Sequence, residues 1–364
     1  MSVAFVLFFG GHPASEIERR LDAVRLAVAE HLLRAAARGG FAPLLVVTPD
    51  QAVGATLAAV AEVVRPSTEP FHLGRELRGI ARARHLERLC LAGGGYGALL
   101  SAGDLRLLRE RVEAADGVLV SNNYYSADIV AFAPASALDA IDLPAADNPL
   151  PRLLHQQAGL SSEELPRGAA WLFDVDTPTD ATILRRDARC PDAVRRLPAW
   201  ESQLGERLER VLGLLATPDV EVCVAGRVGA PAWAFLETQT ACRVRVLSEE
   251  RGMQAGGRDA SGVARTILGF LYDALGPDAF FVRMAELGSG LILDSRVLFA
   301  HLGLHPPAAE RFASDVFDLS ATRDPRLQDF TRAAARAPIP VLLGGHSIVS
   351  GGLFAMAEIA WQGR

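Results

Sequence analysis

Val3–Phe9 is an uninterrupted apolar run of strand length that stops at Gly10-Gly11, and the same figure recurs along the chain. An apolar run without alternation reads as a strand covered on both faces, the habit of a parallel sheet. Ser15 then precedes Glu16, Glu18 and a long helical pattern through Ala37 that closes on Gly39-Gly40. That is a cap, an amphipathic body and a C-terminal glycine. Pro43–Val47 is expected as the second strand, Ala52–Val64 as helix, Leu73–Leu86 as a basic helix, and Arg88–Ala92 as the third strand. Short strands are expected over Gly117–Val120, Asp128–Phe132 and Trp171–Val175, with helices over Asp104–Ala115, Ala135–Ile141 and Pro151–Gln157. Strands alternating with helices predict an α/β fold, a mainly parallel sheet with helices on both faces.

A chain of 364 residues exceeds one ordinary core, so two domains are expected. A helical, Arg-rich stretch from Pro191 to Leu215 breaks the alternation, and Val220–Ala225 starts a second α/β series. The boundary is therefore expected near residue 190, with domains over 1–190 and 191–364. The second series continues with strands at Arg243–Leu247, Leu291–Leu293 and Ile339–Leu343. A net charge of −6 argues against wholesale capture of nucleic acid. No run approaches the apolar length of a membrane span, and Met1–Gly11 lacks a basic leader, so a cytoplasmic location is expected. Cys90, Cys190, Cys223 and Cys242 are scattered without a C-x-x-C pair and are expected as buried thiols.

All 37 basic residues are Arg; there is no Lys. A Schiff-base lysine and a G-K-[ST] phosphate loop are therefore impossible. Any phosphate must be held by Arg, backbone N–H groups, hydroxyls, His or a metal.

The most specific motif is Phe173-Asp174-Val175-Asp176-Thr177-Pro178-Thr179-Asp180. Carboxylates at i and i+2 of an extended segment point the same way. Like charges on one face call for a cation, and Mg²⁺ suits oxygen donors. The alternative is a helix cap beside a solvated aspartate. Phe173–Asp180 resembles the F-D-[IV]-D-T-P-x-D segment of MobA-like nucleotidyltransferase domains of GT-A type, which include molybdenum-cofactor and 2-phospholactate guanylyltransferases. Leu99–Leu105 is similar to the P-L-L-[ST]-x-x-D-L segment of the same superfamily. The resemblance covers residues 1–190 and implies that Asp174 and Asp176 help hold the divalent ion. Two departures stand out. The first loop, Phe8–Ser15, carries only Gly10 and Gly11 before His12, with Arg19 the nearest candidate arginine. Tyr96, in Gly94-Gly95-Tyr96, stands where the family has a metal-binding aspartate, so Asp128 or Asp147 would have to substitute.

Asn122, Asn123 and Ser126 form a polar cluster at a strand exit, suited either to reading a small ligand or to making a turn. In the second half, Gly344-Gly345-His346-Ser347 is a strand–turn–helix start that reads as an anion cradle, as a nucleophile elbow, or as tight packing. Asp294 and Arg296, in a polar group with His301, His305, Arg311 and Asp315, could bind a phosphorylated or carboxylated ligand, or form an internal salt bridge beside surface histidines. His301 and His305 are not expected to pair on zinc, because Gly303 and Pro306 break a helix there. Val224–Gly229 is only weakly like a dinucleotide loop. The resemblance implies Mg²⁺-dependent transfer of a nucleotidyl group from a nucleoside triphosphate to a small acceptor. The alternatives are a binding or regulatory protein on a decayed scaffold, and a hydrolase centred on Ser347. A homo-oligomer is compatible with all three.

Overall fold

The computed structural model describes residues 2–254 and 256–362. Contacts divide the chain into two units, Met1–His12 with Val24–Leu172, and Pro13–Ala23 with Phe173–Arg364. Residues 173–190, expected in the first domain, pack in the second unit, because Thr179, Asp180 and their helix bond to the last strand and the turn after it.

The first unit is a seven-stranded sheet in the order β3-β2-β1-β4-β6-β5-β7. Its strands are β1 Ala4–Phe8, β2 Leu44–Val47, β3 Glu62–Val64, β4 Leu89–Gly93, β5 Val118–Ser121, β6 Ile129–Ala133 and β7 Ser161–Glu164. Only β6 runs antiparallel to its neighbours. The alternating side chains of β1 feed two separate cores. Phe5 and Leu7 pack with α1 (Glu16–Arg38), α2 (Gln51–Leu57) and α4 (Ala102–Ala114). Ala4 and Val6 pack on the other face with α3 (Leu73–Ala83) and α5 (Leu150–Gln156). This is the doubly covered, mainly parallel layer expected of the apolar runs.

The expected helix over 52–64 is shorter than its pattern: α2 ends at Leu57 and residues 62–64 pair with β2 instead. The expected strand over 171–175 is corrected too. Ala169–Leu172 is a helical turn, α6, and only Asp174 makes a strand-like bridge. The Gly168 carbonyl takes the amides of Trp171 and Leu172, which commits that backbone to a turn.

The second unit is a four-stranded, all-parallel sheet in the order β11-β10-β8-β9. The strands are β8 Glu221–Gly226, β9 Arg243–Ser248, β10 Gly290–Asp294 and β11 Val341–Gly344. Before it come α7 (Pro178–Arg186), α8 (Asp192–Arg195) and α9 (Glu206–Leu215). The connections are α10 (Ala230–Gln239), then α11 (Ile267–Leu275) and α12 (Pro277–Leu287), then α13 (Ser295–His301), α14 (Ala308–Asp315) and α15 (Pro325–Arg336). A single turn, Ser347–Val349, leads into α16 (Gly351–Ile359). Cys223, Leu291, Leu293 and Val341 pack against α12 and α15, while α9 covers the opposite face and α16 packs beside it. All four cysteines are buried and free, as expected. Among the described residues no helix is long and apolar enough to cross a membrane.

Candidate functional site

In the first unit the strand-end loops divide into one that is open and two that are consumed by their own packing. Gly10, Gly11 and His12 follow β1 and are exposed. Gly11 has φ +135°, a region that favours glycine, and nothing lies within 4 Å of a Cβ built on Gly10. Gly94, Gly95 and Tyr96, by contrast, are buried. A Cβ on Gly94 would sit 2.4 Å from the Phe9 ring, so glycine is there to let Phe9 pack. Tyr96 is fully buried, and its hydroxyl donates to the Trp171 carbonyl at 2.8 Å.

Asn122 is likewise a structural bracket. Its Nδ2 donates to Asp128 Oδ2 (2.9 Å) and to the Trp171 carbonyl (3.0 Å), while its Oδ1 accepts the amides of Asp128 and Ile129. Asn123 Oδ1 accepts from the amides of Tyr125 and Ser126, and Ser126 Oγ donates to Asn148 Oδ1. The turn reading of this cluster accounts for these bonds. Asp128 is half-buried at the end of the bracket.

In the second unit, polar groups from distant stretches meet at the C-terminal edge of the sheet. Phe173 and Val175 are 1% and 0% exposed, whereas Asp174 and Asp176 alternate outward. Asp174 Oδ1 accepts the Val175 amide at 2.8 Å. The side chain of Asp176 is exposed and takes no donor among the described residues. The pair is held by the start of α7. Thr177 caps the helix, Pro178 occupies its first position, and Asp180 closes a capping box.

Asp180 does more than a cap requires. Its Oδ2 accepts from the amides of Asp176 (3.2 Å) and Thr177 (2.8 Å), from Thr177 Oγ1 (2.8 Å), and from Ser347 Oγ (2.6 Å). Its Oδ1 is buried without a partner. Burial pushes the carboxyl up to about 7, against the pull of the Ser347 and Thr177 hydrogen bonds and with a further push from the Asp176 charge. Thr179 Oγ1 donates to the Leu343 carbonyl of β11 at 2.6 Å, a second tie between α7 and the last strand.

Arg227, immediately after β8, is 6% exposed and grips Asp294, which is fully buried. Its Nε lies 2.6 Å from Oδ2 and its Nη2 3.1 Å from Oδ1. Gly226, at φ +125°, permits the approach: a Cβ there would be 2.4 Å from the Asp294 Cβ. Arg296 makes a second fork onto Asp315, at 2.9 and 2.5 Å, and also donates to Ser295 Oγ. The salt-bridge alternative thus accounts for both Asp294 and Arg296, and neither offers a free charge. The His346 ring stays half-buried; burial and then the Arg227 charge push its pKa down. Gly344 and Gly345 are buried in tight packing, the latter 3.6 Å, as a built Cβ, from Thr177 Cγ2. His301 accepts the Thr266 amide and His305 lies 3.8 Å from Asp259, so they serve no common metal. Among the described residues there is no group of three or more His, Cys, Asp or Glu able to hold a metal ion.

Sequence reasoning set the Val224–Gly229 segment aside as only weakly like a dinucleotide loop, without singling out Arg227, and it passed over Arg251. The available signal was a strand, Gly226-Arg227-Val228-Gly229, and a helix, which is a strand-end turn even without the third glycine of a dinucleotide loop.

No family model matches the chain, and no curated protein matches it. Solved structures do resemble it. A nucleotidyl transferase from Methanothermobacter thermautotroptrophicus is 18% identical, over 48% of this chain and 92% of that one, at a TM-score of 0.37. A cytidylyltransferase from Leptospira borgpetersenii is 14% identical, over 58% and 95%, at 0.40. A CMP:2-keto-3-deoxy-manno-octonic acid synthetase complexed with CTP is 16% identical, over 48% and 94%, at 0.33. At such identities and TM-scores the likeness decides nothing about substrate; any activity has to be argued from the residues themselves.

Proposed function

We propose that the chain is a divalent-cation-dependent nucleotidyltransferase of MobA-like type, using a nucleoside triphosphate and a small phosphorylated or hydroxylated acceptor. The observation that carries this reading is the outward pair Asp174 and Asp176, backed by a buried capping box that fixes their backbone. Two carboxylates fit the share that Mg²⁺ usually takes from a protein, its other ligands being water and phosphate oxygens. Bound there, Mg²⁺ would supply charge neutralisation along the phosphates. The chain's own part is to hold the reactants in line. The acceptor oxygen bonds to the α-phosphorus as the bond to the α–β bridging oxygen breaks, and pyrophosphate leaves with that oxygen.

Tyr96 favours a second reading, a nucleotide-binding protein without turnover, since a buried tyrosine cannot replace a metal-binding carboxylate. The hydrolase reading has no support: Ser347 Oγ gives its hydrogen to Asp180 rather than to an imidazole. The test is pyrophosphate release from each triphosphate with a panel of acceptors. Release that needs Mg²⁺ and disappears in Asp176→Asn supports transfer. Tight triphosphate binding with no release for any acceptor supports the second reading.

A further inference from the structure

A chain without lysine has few ways to hold a polyphosphate, and most arginines near the strand ends of the second unit are occupied. Arg19 is paired with Glu16 at 3.0 Å. Arg20 donates to the Ala199 carbonyl and lies 4.6 Å over the Trp200 ring. Arg296 is forked onto Asp315. Arg227 differs: Nε and Nη2 are bonded to Asp294, but Nη1 takes no acceptor among the described residues. Arg251 is exposed, and its Nη2 is 3.9 Å from a Cβ built on Gly229, which puts it beside the turn that carries Arg227.

The place matters as much as the charge. β8 has β9 on one side and β10 on the other, so the chain moves from β8 to β9 in one direction and then crosses back past β8 to reach β10. In parallel α/β sheets the crevice outside the strand ends at such a reversal is where ligands sit. Arg227 follows the end of β8 and Asp294 ends β10, so their ion pair lies across this crevice. The turn Ser347–Val349, which His346 leads into, packs against both β8 and β10, so His346 lies at the same edge, where burial first and then the charges of Arg227, Asp294, Asp176 and Arg251 act on its ring. Its imidazole therefore stands within the field of both the proposed cation ligand and the two arginines.

We propose that Arg227, Arg251 and His346 form a phosphate subsite at the C-terminal edge of the second sheet, which receives the polyphosphate end of the nucleotide. This rests on the transferase reading for the identity of the ligand, but the subsite can be tested without it. Asp294 holds the Arg227 guanidinium rigid, so one arm is presented without further ordering. Arg251 adds a mobile positive charge, and His346 adds a neutral N–H donor. Asp176 carries the cation on the neighbouring side, so a metal-bound polyphosphate satisfies both signs of charge.

The experiment is calorimetric titration of inorganic pyrophosphate into the full chain without metal, using wild type, His346→Ala, Arg251→Ala and Arg227→Lys. Arg227→Lys keeps a cation for Asp294, and Arg251→Ala alters an exposed side chain, so folding is preserved in at least one variant. The expected result is binding by wild type that weakens about tenfold in each variant, with Asp139→Ala, at an exposed ion pair of the first unit, unchanged. Absence of pyrophosphate binding overturns the subsite, as does binding that all three variants retain in full. If pyrophosphate follows the expected pattern while Mg²⁺ never strengthens triphosphate binding, the subsite stands and the transferase reading fails.

Discussion

The strand-end loops of the first unit mostly satisfy themselves, whereas those of the second unit concentrate charge. Asn122 closes its loop with four hydrogen bonds to neighbours, and Tyr96 gives its hydroxyl to a buried carbonyl. In the second unit, Arg227–Asp294 and Arg296–Asp315 are buried ion pairs, and Asp180 is a buried carboxyl with one oxygen unpartnered. Buried charge is costly unless paired, and hydrophobic replacements are often as stable. Phe173–Asp180, expected to close the first domain, lies in the second unit together with these buried pairs.

That contrast can be broken most forcefully at Asp294. Asp294→Ala leaves the Arg227 guanidinium buried and unpaired, and should cost about 3–5 kcal/mol in urea unfolding. The exposed first-unit pair Arg82–Asp139 (2.7 Å) should cost under about 1 kcal/mol on Asp139→Ala. Equal losses at the two sites would erase the distinction. Next in size is Gly94→Ala, which forces the Phe9 ring to move and should cost about 1–3 kcal/mol. Gly10→Ala meets open space and should be tolerated.

An effect spread over several pH units should appear in the pH dependence of stability. Because the folded Asp180 carboxyl is raised from 3.8 to about 7, the native state holds its proton more tightly than the unfolded chain. This contribution is fully present below pH 3.8, and is lost progressively as pH rises to 7. The decline is on the order of 1 kcal/mol per pH unit at most. Asp180→Asn should flatten it; a slope unchanged in that variant would show that Asp180 ionises normally. Smallest of all, Tyr96→Phe should cost about 1 kcal/mol of stability and leave triphosphate affinity unchanged. A change in affinity would return Tyr96 to the ligand site.

Continuous apolar runs made β1, β2, β4, β8 and β11 legible to within a residue or two, because a strand covered on both faces leaves its mark in composition. β7 left none. Ser161–Glu164 is polar, pairs only with β5, and is mostly exposed, as an edge strand can be. β3 was absorbed into an expected helix because three residues carry no period. The helix start at Thr177-Pro178 with Asp180 in its first turn was readable since its geometry is local. Arg227 and Asp294 are 67 residues apart, and only the order of the sheet brings them together. The ties from Asp180 to Ser347 and from Thr179 to Leu343 escaped for the same reason.

The central claim, that Asp174 and Asp176 share a divalent cation, is met most directly by electron paramagnetic resonance with Mn²⁺ in place of Mg²⁺. With a nucleoside triphosphate present, the wild-type chain should show one tightly held Mn²⁺, and Asp174→Asn with Asp176→Asn should release it to the free-ion spectrum. Retention of the bound signal in that double variant, or its absence from the wild type, would contradict the account.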